Sequence, residues 1–552
     1  MTKTTVDLIS QATAWVAEDP DPVTVDELRG LIEKAQASDE QAIEELADAF
    51  DGGLEFGTAG LRGRLGGGSN RMNRVVVARA AAGLAAYLVS RGGKAVVIGY
   101  DARRNSDVFA HDTAKIMAGA GLAASVFPRA LPTPLVAFAI RELGVDAGVM
   151  VTASHNPPAD NGYKVYLGDG SQIVTPADTD ISACISEVGP IADIPRSDDY
   201  ATLNEDVLDA YLARSTSLIP EGPRDVQAIY TAMHGVGGAV FMQAVKDAGF
   251  PDPRPVAAQF EPDGLFPTVP FPNPEEPGAM DLSLEEARKA PGDIIIANDP
   301  DADRAAAGIP FEGDWRMLTG DETGALLAWW IVQRLLRSGE KPNGVFAQSI
   351  VSGTLLGRIA EDAGLDYQTT LTGFKWISRV PGLVFGYEEA LGYCVDPTAV
   401  RDKDGITASL LMLELTAQMK SEGRGLQDVL DELARKFGLH VTSQVSVRVA
   451  DIQLIADAME RLRKQPATEL GGRAVTGFED LADGCDGLPP TDGLRFTMDG
   501  ARVIIRPSGT EPKIKCYLQV VVPVTGEITD AKAAAAVEMG QLRDSVSAAL
   551  GL

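Results

Sequence analysis

The sequence has few of the residues that build disulfide frameworks or zinc sites. Only four cysteines and four histidines occur among 552 residues. The cysteines are widely spaced and form no CxxC pair, which is typical of reduced residues that bind no metal. The few histidines give little support to a site with several metal ions. The residues concerned are Cys184, Cys394, Cys485, Cys516, His111, His155, His234 and His440.

The chain also lacks long hydrophobic runs and an excess of positive charge. No uninterrupted apolar stretch is long enough to span a bilayer, and residues 1–11 contain no apolar segment typical of a secretion signal. We therefore expect a cytoplasmic protein with no membrane partner. The net charge of −29 argues against a nucleic-acid partner, because no basic field is present to hold a polyphosphate backbone. A small phosphate ester needs only a local basic pocket.

The length and composition predict a globular protein with several domains. Hydrophobic residues make up 45% and charged residues 23%, and 552 residues are too many for one core. Alternating helical and strand patterns predict α/β domains at 1–205, 206–312 and 313–435. A different order of helices and strands predicts an α+β domain at 436–552. The first domain begins with an acidic helical arm over residues 1–50.

Two details of this arm follow from its sequence. Thr24 and Glu27 have the spacing of a capping box at the start of a helix. Trp15 and Phe50 are expected to dock the arm on the first domain.

A strand-to-loop transition at Ser154 carries the most specific chemical signal. Residues 147–151 form an apolar run typical of a buried strand, and Ser-His-Asn-Pro then forms a turn. Ligands collect at the carboxyl ends of parallel strands, so we predict that Ser154 is exposed there and carries a phosphoryl group. The returning strand, 161–166, can bring Lys164 beside it. A serine in an ordinary Asx-type turn is the alternative for this motif taken alone.

A second apolar strand, 294–298, opens into Asp299, Asp301 and Asp303. Three carboxylates at alternate positions after a buried strand are costly unless a cation gathers them, and oxygen ligands suit Mg²⁺ or Ca²⁺. An EF-hand is excluded, because its sixth and twelfth positions would be Arg304 and Pro310 instead of Gly and Glu.

Three further loops have compositions that suit phosphates or sugars. Residues 56–64 are rich in glycine and contain two arginines, and residues 506–513 combine serine, glycine and threonine with Arg506 and Lys513. Both can supply backbone N–H groups and cations to a phosphate. Glu388 and Glu389 follow a Gly-Tyr break, are interpreted as a loop, and could accept hydrogen bonds from sugar hydroxyls. Each loop taken alone also fits an ordinary turn.

Together these motifs resemble those of the α-D-phosphohexomutase superfamily, which contains the phosphoglucomutases and phosphomannomutases. Thr-Ala-Ser-His-Asn-Pro resembles its phosphoserine loop, Asp-Pro-Asp-Ala-Asp-Arg its metal loop, Gly-Tyr-Glu-Glu-Ala its sugar loop, and 506–513 its phosphate loop. The forms that these motifs take in this chain, together with Phe-Gly-Thr-Ala-Gly-Leu-Arg-Gly at 56–63, look most like those of the branch of type-2 phosphoglucomutases and phosphopentomutases. Ala390 stands where many members have serine, which removes one sugar contact and leaves the preferred sugar open.

The resemblance implies three similarly wound α/β domains with mixed, mostly parallel sheets and a C-terminal α+β domain around a central cleft. It implies a mutase that moves a phosphoryl group between the 1 and 6 positions of a hexose phosphate. Glucose is the sugar we expect, and mannose is the next candidate. The reaction would pass through phosphorylated Ser154 and a sugar 1,6-bisphosphate and would need Mg²⁺.

Site residues follow from the same resemblance, position by position. Residues around the transferring group would be Ser154, His155, Lys164 and Arg62. The Mg²⁺ ligands would be Asp299, Asp301, Asp303 and a phosphate oxygen on Ser154. Substrate contacts would come from Arg304, Thr372, Gly373, Lys375, Glu388, Lys403, Arg506, Ser508, Gly509, Thr510 and Lys513.

Several alternatives stay open at this point. The sugar could be a pentose phosphate, interconverted between ribose 1-phosphate and ribose 5-phosphate. A phosphohydrolase of the haloacid-dehalogenase kind would use Asp299 as nucleophile, although Asp303 does not fit that motif. A metal-dependent sugar-phosphate phosphatase and a non-catalytic sugar-phosphate sensor are further alternatives. Whether Lys164 or His155 exchanges the hydroxyl proton, and the oligomeric state, are not determined.

Overall fold

The structure, a computed structural model, describes residues 4–57, 60–449, 453–507 and 513–551. The chain separates into two compact units. The first comprises Met1–Ala307 and Cys394–Glu414, and the second comprises Gly308–Tyr393 and Leu415–Leu552. Among the described residues, no helix combines the length and hydrophobicity that crossing a membrane requires. The predicted domain boundaries at 205, 312 and 435 stay predictions.

The N-terminal arm is helical, as predicted. Its helices are α1 (Thr5–Glu18), α2 (Pro22–Gln36) and α3 (Glu40–Ala49). Trp15 and Phe50 are both buried in the core that the arm shares with the rest of the first domain, and the guanidinium of Arg79 lies 5.7 Å from the centre of the Trp15 ring, so the predicted docking is confirmed. The predicted capping box at Thr24 is wrong. The helix begins earlier, at Pro22, because Asp21 caps it by accepting a hydrogen bond from Val23 N.

The first sheet is mixed and mostly parallel, as predicted. Its strand order is β1-β5-β4-β2-β3-β6. Strands β4, β2, β3 and β6 pair in parallel, whereas β5 and β1 pair antiparallel at one edge. The elements are β1 (Leu61–Arg64), α4 (Arg74–Ser90), β2 (Ala95–Tyr100), α5 (Ser106–Gly119), β3 (Ala123–Val126), α6 (Thr133–Leu143), β4 (Ala147–Val151), β5 (Asp160–Leu167), α7 (Ala177–Ser186) and β6 (Ala201–Thr202).

The second sheet has the order β11-β10-β9-β7-β8. Strand β7 pairs in parallel with both β8 and β9, and β10 forms an antiparallel pair with β11. The elements are α8 (Asp206–Ser217), β7 (Ala228–Thr231), α9 (Gly237–Asp247), β8 (Arg254–Pro255), α10 (Asp281–Lys289), β9 (Ile294–Asn298), β10 (Ala305–Phe311) and β11 (Asp314–Met317).

The third sheet has the order β13-β12-β14-β15, with β12 parallel to both β13 and β14. Its elements are α11 (Gly320–Arg337), β12 (Val345–Ser349), α12 (Leu355–Ala363), β13 (Asp366–Thr370), α13 (Phe374–Ile377), β14 (Leu383–Glu388), β15 (Gly392–Cys394), α14 (Gly405–Ser421) and α15 (Leu426–Phe437).

Glu388 corrects one prediction in this sheet. Glu388 and Glu389 are predicted to lie in a loop after the Gly-Tyr break, yet Gly386 and Glu388 lie in strand β14, and the turn begins at Glu389. Ile377 lies where a side chain of residue 386 would be, since a Cβ there would be 2.3 Å from Ile377 Cγ2. Close packing at this point of the strand therefore requires glycine.

The last sheet is antiparallel, in the order β16-β21-β20-β19-β18-β17, and helix α17 packs on β21 and β16. This arrangement confirms the predicted α+β class. Its elements are β16 (Leu439–Arg448), α16 (Gln453–Lys464), β17 (Glu469–Leu470), β18 (Arg473–Asp480), β19 (Leu494–Met498), β20 (Ala501–Pro507), β21 (Lys513–Val522) and α17 (Ile528–Leu550). Short 3-10 helices occur at Ile191–Asp193, Ala257–Gln259 and Leu481–Asp483.

Candidate active site

The Ser154 hydroxyl lies at the end of β4 and points into a cluster of charged groups. Its Oγ donates a hydrogen bond to Asp299 Oδ2 at 2.8 Å and lies 3.2 Å from His155 Nδ1. The residue has φ +51°, and its N–H donates to Thr152 Oγ1 at 2.9 Å. The predicted exposure of Ser154 is wrong, because only 2% of the residue is accessible.

The return strand β5 carries Lys164 to the same place, in register with Met150 of β4. Lys164 Nζ donates to Asp301 Oδ2 at 2.8 Å and to Asp303 Oδ2 at 3.0 Å. Burial of the ammonium acts to lower its pKa, but these two carboxylates outweigh burial and the pKa is raised. Lys164 is therefore a fixed positive charge at neutral pH.

The three aspartates after β9 form a fully buried cluster. One oxygen of each lies within 4.8 Å of the others. Burial and the charges of Asp301 and Asp303 raise the pKa of Asp299. The pKa values of Asp301 and Asp303 are lowered, because Lys164 and hydrogen bonds outweigh the cost of burial. Asp301 Oδ1 and Asp303 Oδ1 have no hydrogen-bond donor among the described residues.

This cluster fits a hard divalent cation. Uncompensated carboxylate oxygens in a site without solvent are costly, and a cation coordinated by oxygen removes that cost. The donors are carboxylates only, which suits Mg²⁺ better than zinc or copper.

Two glycines let neighbouring segments approach the aspartate loop closely. A Cβ at Gly235 would lie 2.4 Å from Pro300 Cα, and a Cβ at Gly405 would lie 2.2 Å from Arg304 O. The approach at Gly405 brings Lys403 alongside, and its Nζ lies 3.1 Å from Asp303 Oδ2. The structure therefore joins Lys403 to the same cluster as Lys164.

Arg62, His155 and Arg304 complete the positive surroundings. Arg62 Nη1 donates to Asn156 Oδ1 at 3.2 Å, and Arg304 Nε lies 3.9 Å from Asp299 Oδ2. Burial, followed by the charges of Arg304 and Arg62, lowers the pKa of His155 well below its usual value. His155 is therefore neutral at pH 7.

In the second unit, the predicted sugar loop contacts the residues at the start of α13. Glu388 Oε1 accepts a hydrogen bond from Gly373 N at 2.7 Å, and Gly373 adopts φ +114°. Lys375 lies 6.0 Å from the centre of the Trp376 ring. Thr372 directly precedes Gly373 in the loop between β13 and α13.

Glu389 is held separately from Glu388. Its Oε2 accepts hydrogen bonds from Ser349 Oγ at 2.9 Å and from Ser352 Oγ at 3.0 Å. Glu389 therefore accepts two hydroxyl groups through Oε2, whereas Glu388 accepts a backbone N–H through Oε1.

The predicted phosphate loop is described only at its two ends. Arg506 is the last residue but one of β20 and lies opposite Lys515, and Lys513 begins β21 opposite Arg448. Ser508, Gly509 and Thr510 lie outside the described residues. The roles assigned to all five loop residues stay predictions.

Sequence reasoning missed two residues of this site. Thr133, at the start of α6, donates from Oγ1 to Asp301 Oδ2 at 2.6 Å. Arg103 donates to the backbone carbonyls of Ser154 and Asn156 at 2.6 Å each. The sequence does contain a signal for Arg103. Asp101-Ala102-Arg103 follows strand β2 directly, and β2 is the parallel neighbour of β4, so both Arg103 and Ser154 lie at the carboxyl ends of adjacent strands.

Asp404 caps helix α14 directly after Lys403. Its Oδ1 accepts from Ile406 N at 3.0 Å and Thr407 N at 3.1 Å, and the Tyr211 hydroxyl donates to it at 2.9 Å. Burial raises the pKa of this carboxyl to about 6, although the hydrogen bonds act to lower it. A carboxyl whose pKa is higher in the folded state binds its proton more tightly there. Its contribution to stability is therefore present at low pH and is lost as the pH rises through about 6.

Asp404→Asn removes this titration and is expected to change the pH dependence of stability. The free energy of unfolding of the variant, relative to the natural chain, should rise by about 3 kcal/mol between about pH 4 and pH 7. Thermal unfolding of both proteins across this range measures the difference. A difference that does not vary with pH would contradict the raised pKa.

Comparisons with known proteins match this architecture along most of the chain. Family models described as phosphoglucomutase/phosphomannomutase match residues 53–190 (alpha/beta/alpha domain I), 209–309 (domain II), 319–437 (domain III) and 445–527 (C-terminal domain).

Two curated relatives and one solved structure illustrate the similarity. A "Probable phosphomannomutase" of Haemophilus influenzae is 50% identical over 455 residues, covering 81% of this chain and 92% of the relative. A "Probable phosphoribomutase" of Schizosaccharomyces pombe is 36% identical over 548 residues, covering 91% and 92%. The crystal structure of a phosphoglucomutase/phosphomannomutase family protein from Burkholderia thailandensis has a TM-score of 0.68 at 21% identity, covering 90% of this chain and 97% of that one.

Proposed function

Because the chain belongs to the phosphoglucomutase/phosphomannomutase family, we propose that it moves a phosphoryl group between the 1 and 6 positions of a hexose phosphate through phosphorylated Ser154. Membership of the family makes it a phosphosugar mutase, an intramolecular phosphotransferase. The proposal adds the nucleophile and the sugar. The relative at 50% identity, described as a phosphomannomutase, supports a hexose.

The contact between Ser154 and Asp299 carries the assignment of the nucleophile. Ser154 Oγ lies 2.8 Å from Asp299 Oδ2, so a phosphoryl group on this hydroxyl lies next to the aspartate cluster. Phosphoryl transfer depends mainly on positioning and on neutralisation of charge. A serine that served only as a residue of an Asx-type turn would not need to face a cluster of carboxylates.

The same geometry argues against Asp299 as the nucleophile of a haloacid-dehalogenase type phosphohydrolase. Asp299 Oδ1 accepts from Arg304 N at 3.0 Å and Oδ2 accepts from Ser154 Oγ. Asp299 thus faces a serine hydroxyl that can itself carry the phosphoryl group, and Asp303 stands where that motif has threonine or valine.

Asp299, Asp301 and Asp303 would hold Mg²⁺ together with a phosphate oxygen carried on Ser154. A bound Mg²⁺ supplies charge neutralisation for the transferring group. Lys164 and Lys403 balance the buried carboxylates from the protein side, and both lie within 3.1 Å of Asp303 Oδ2.

Arg62, His155 and Arg304 would surround the phosphoryl group itself. The arginines orient its oxygens, because a guanidinium donates two parallel hydrogen bonds to a phosphate. His155 Nδ1 lies 3.2 Å from Ser154 Oγ, so we assign it to take the proton of the attacking sugar hydroxyl and to return it to Oγ as the bond between Oγ and phosphorus breaks. Lys164 then keeps its charge throughout the cycle.

The proposed cycle uses a sugar 1,6-bisphosphate as its intermediate. Phosphorylated Ser154 gives its phosphoryl group to the free hydroxyl of the sugar, and the bisphosphate turns around before Ser154 takes back the other phosphoryl group. We assign sugar recognition to the loop 372–375 with Glu388. The phosphate that does not react is assigned to Arg506, Ser508, Gly509, Thr510 and Lys513.

A coupled assay with competing sugar phosphates tests the hexose assignment. Glucose 1-phosphate, mannose 1-phosphate and ribose 1-phosphate are compared with Mg²⁺ and catalytic glucose 1,6-bisphosphate. We expect a kcat/KM at least about tenfold higher for one of the hexose phosphates than for ribose 1-phosphate, as the loss of a hydrogen-bonded ring hydroxyl would give.

A pentose phosphate is the second candidate, favoured by the relative at 36% identity that is described as a phosphoribomutase. A higher kcat/KM for ribose 1-phosphate would replace the hexose assignment with this one. Equal values for all three sugars would mean that Glu388 and Ala390 do not select the sugar.

A further inference from the structure

The side chain of Arg103 is completely enclosed at the base of the Ser154 loop. It has no solvent exposure, and its guanidinium lies 4.8 Å from the centre of the Phe266 ring. A guanidinium without access to water is stable only where protein acceptors satisfy its N–H groups. The identity of those acceptors therefore indicates what Arg103 does.

Arg103 donates to four backbone carbonyl oxygens, all of them in the Ser154 loop. Nη2 donates to the carbonyls of Ser154 and Asn156 at 2.6 Å each. Nη1 donates to the carbonyls of Pro157 at 2.9 Å and Asp160 at 3.2 Å. One side chain thus fixes the path of the loop from the proposed nucleophile to the start of β5.

The loop needs such support because Ser154 has an unfavourable backbone conformation. Its φ of +51° lies in the left-handed region, which costs a non-glycine residue energy and persists only where the surroundings enforce it. The N–H of Ser154 is held by Thr152, and its carbonyl is held by Arg103. Together these contacts determine the direction in which the Ser154 hydroxyl points.

Arg103 is itself fixed by its neighbours. Asp101 Oδ1 accepts from Arg103 N at 2.9 Å, and Asp101 Oδ2 lies 3.4 Å from Arg103 Nε. A Cβ at Gly264 would lie 2.8 Å from Arg103 Cα, so the segment that carries Phe266 packs tightly over it. The guanidinium has little freedom to move.

We propose that Arg103 is a positioning residue for phosphoryl transfer, because it holds the Ser154 loop in the conformation that keeps Ser154 Oγ at the aspartate cluster. Its described contacts are to the loop backbone, Asp101 and Phe266. The inference rests on the proposed function of Ser154. A lysine cannot replace this arginine, because a single ammonium cannot span four carbonyl oxygens as a planar fork does.

Arg103→Lys tests the proposal with the charge retained. We expect kcat to fall about 100-fold while KM stays within about threefold, because misplacement of the nucleophile slows transfer without weakening substrate binding. Arg91→Lys is the matched control. Arg91 also lies over an aromatic ring, Tyr87 at 4.6 Å, and pairs with Asp180, but it is exposed. Its variant should keep the natural kcat.

Rescue by a small molecule separates positioning from a general loss of structure. Arg103→Ala leaves a cavity of guanidinium shape, and ethylguanidinium at millimolar concentration should raise its kcat at least about tenfold by replacing the lost hydrogen bonds. Ethylammonium, which lacks the fork, should not. If both Arg103 variants fail to fold, Phe266→Leu takes their place, with an expected fall in kcat of about fivefold from the lost stacking.

Any one of the following results would overturn the inference. The first is a kcat of Arg103→Lys within threefold of the natural enzyme. The second is an absence of rescue in folded Arg103→Ala, and the third is an unchanged kcat in Phe266→Leu where only that variant folds. Transfer of phosphate from glucose 1,6-bisphosphate to Ser154 is measured in parallel. If the natural chain takes up no phosphate there, the proposed function fails; if it does and Arg103→Lys matches its rate, only the role of Arg103 fails.

Discussion

Replacing Ser154 with alanine is expected to abolish turnover while leaving the binding of sugar phosphates nearly unchanged. Ser154 Oγ is the proposed carrier of the phosphoryl group and lies 2.8 Å from Asp299 Oδ2. Loss of a nucleophile that no neighbour can replace typically lowers kcat by about 10⁴-fold or more. Steady-state assays and calorimetric titration with glucose 6-phosphate measure the two effects separately.

Ser283→Ala is the control for this substitution. Ser283 is also fully buried, and its hydroxyl has no hydrogen-bond partner among the described residues, so its loss should leave turnover unchanged. Turnover of Ser154→Ala within tenfold of the natural value would remove Ser154 from the mechanism. Loss of both turnover and binding would indicate that the substitution disrupts the site as a whole.

The second large effect is expected from Asp301→Asn. Asp301 accepts hydrogen bonds from Lys164 and Thr133 through one oxygen, and its other oxygen has no hydrogen-bond donor in the described part of the chain. The substitution removes a ligand charge from the proposed Mg²⁺ site and turns an amide toward Lys164. A loss of several kcal/mol of charge stabilisation lowers kcat by about 10³-fold. Titration calorimetry should show a weaker affinity for Mg²⁺.

Asp178→Asn is the matched control for this prediction. Asp178 is buried in the first domain, and its carboxylate accepts hydrogen bonds from Thr175 and Thr179. Its variant should keep natural activity and affinity for Mg²⁺. Full activity of the natural chain after removal of divalent cations, or an unchanged affinity for Mg²⁺ in Asp301→Asn, would contradict the metal assignment.

Two of the strands that position the site could be predicted from sequence to the residue, whereas β5 extends one residue beyond each predicted end. Ala147–Val151 and Ile294–Asn298 occur with the predicted bounds. Strands buried on both faces give continuous apolar runs, and turn residues end them sharply. The pattern of each strand is local, so no information from the rest of the chain is needed to identify it.

The meeting of Ser154 with Asp299 could not be predicted from local patterns. These residues are 145 positions apart, and the resemblance to a known superfamily, rather than any periodicity, suggested that they meet. The same limit explains why Arg103 was missed. Its place directly after strand β2 could have put Arg103 near the site, but its partners are backbone carbonyls, which every residue possesses, so nothing in the sequence identifies the groups that it contacts.

The exposure of Ser154 and the loop assignment of Glu388 were wrong for a common reason. Turn residues indicate where the chain changes direction, but burial and strand pairing depend on what packs there. Ser154 is covered by the aspartate loop, and Gly386 stays within β14 because Ile377 fills the space beside it. Tertiary packing overrode the local signal in both cases.

The central claim is that Ser154 carries the phosphoryl group, and the location of that group on the protein tests it most directly. The natural chain and Ser154→Ala are incubated with labelled glucose 1,6-bisphosphate and Mg²⁺, treated with neutral hydroxylamine and mapped by peptide mass spectrometry. We expect one phosphate on Ser154 that survives hydroxylamine, and none on the alanine variant. Label that hydroxylamine releases from Asp299, or equal labelling of both proteins, would contradict the account.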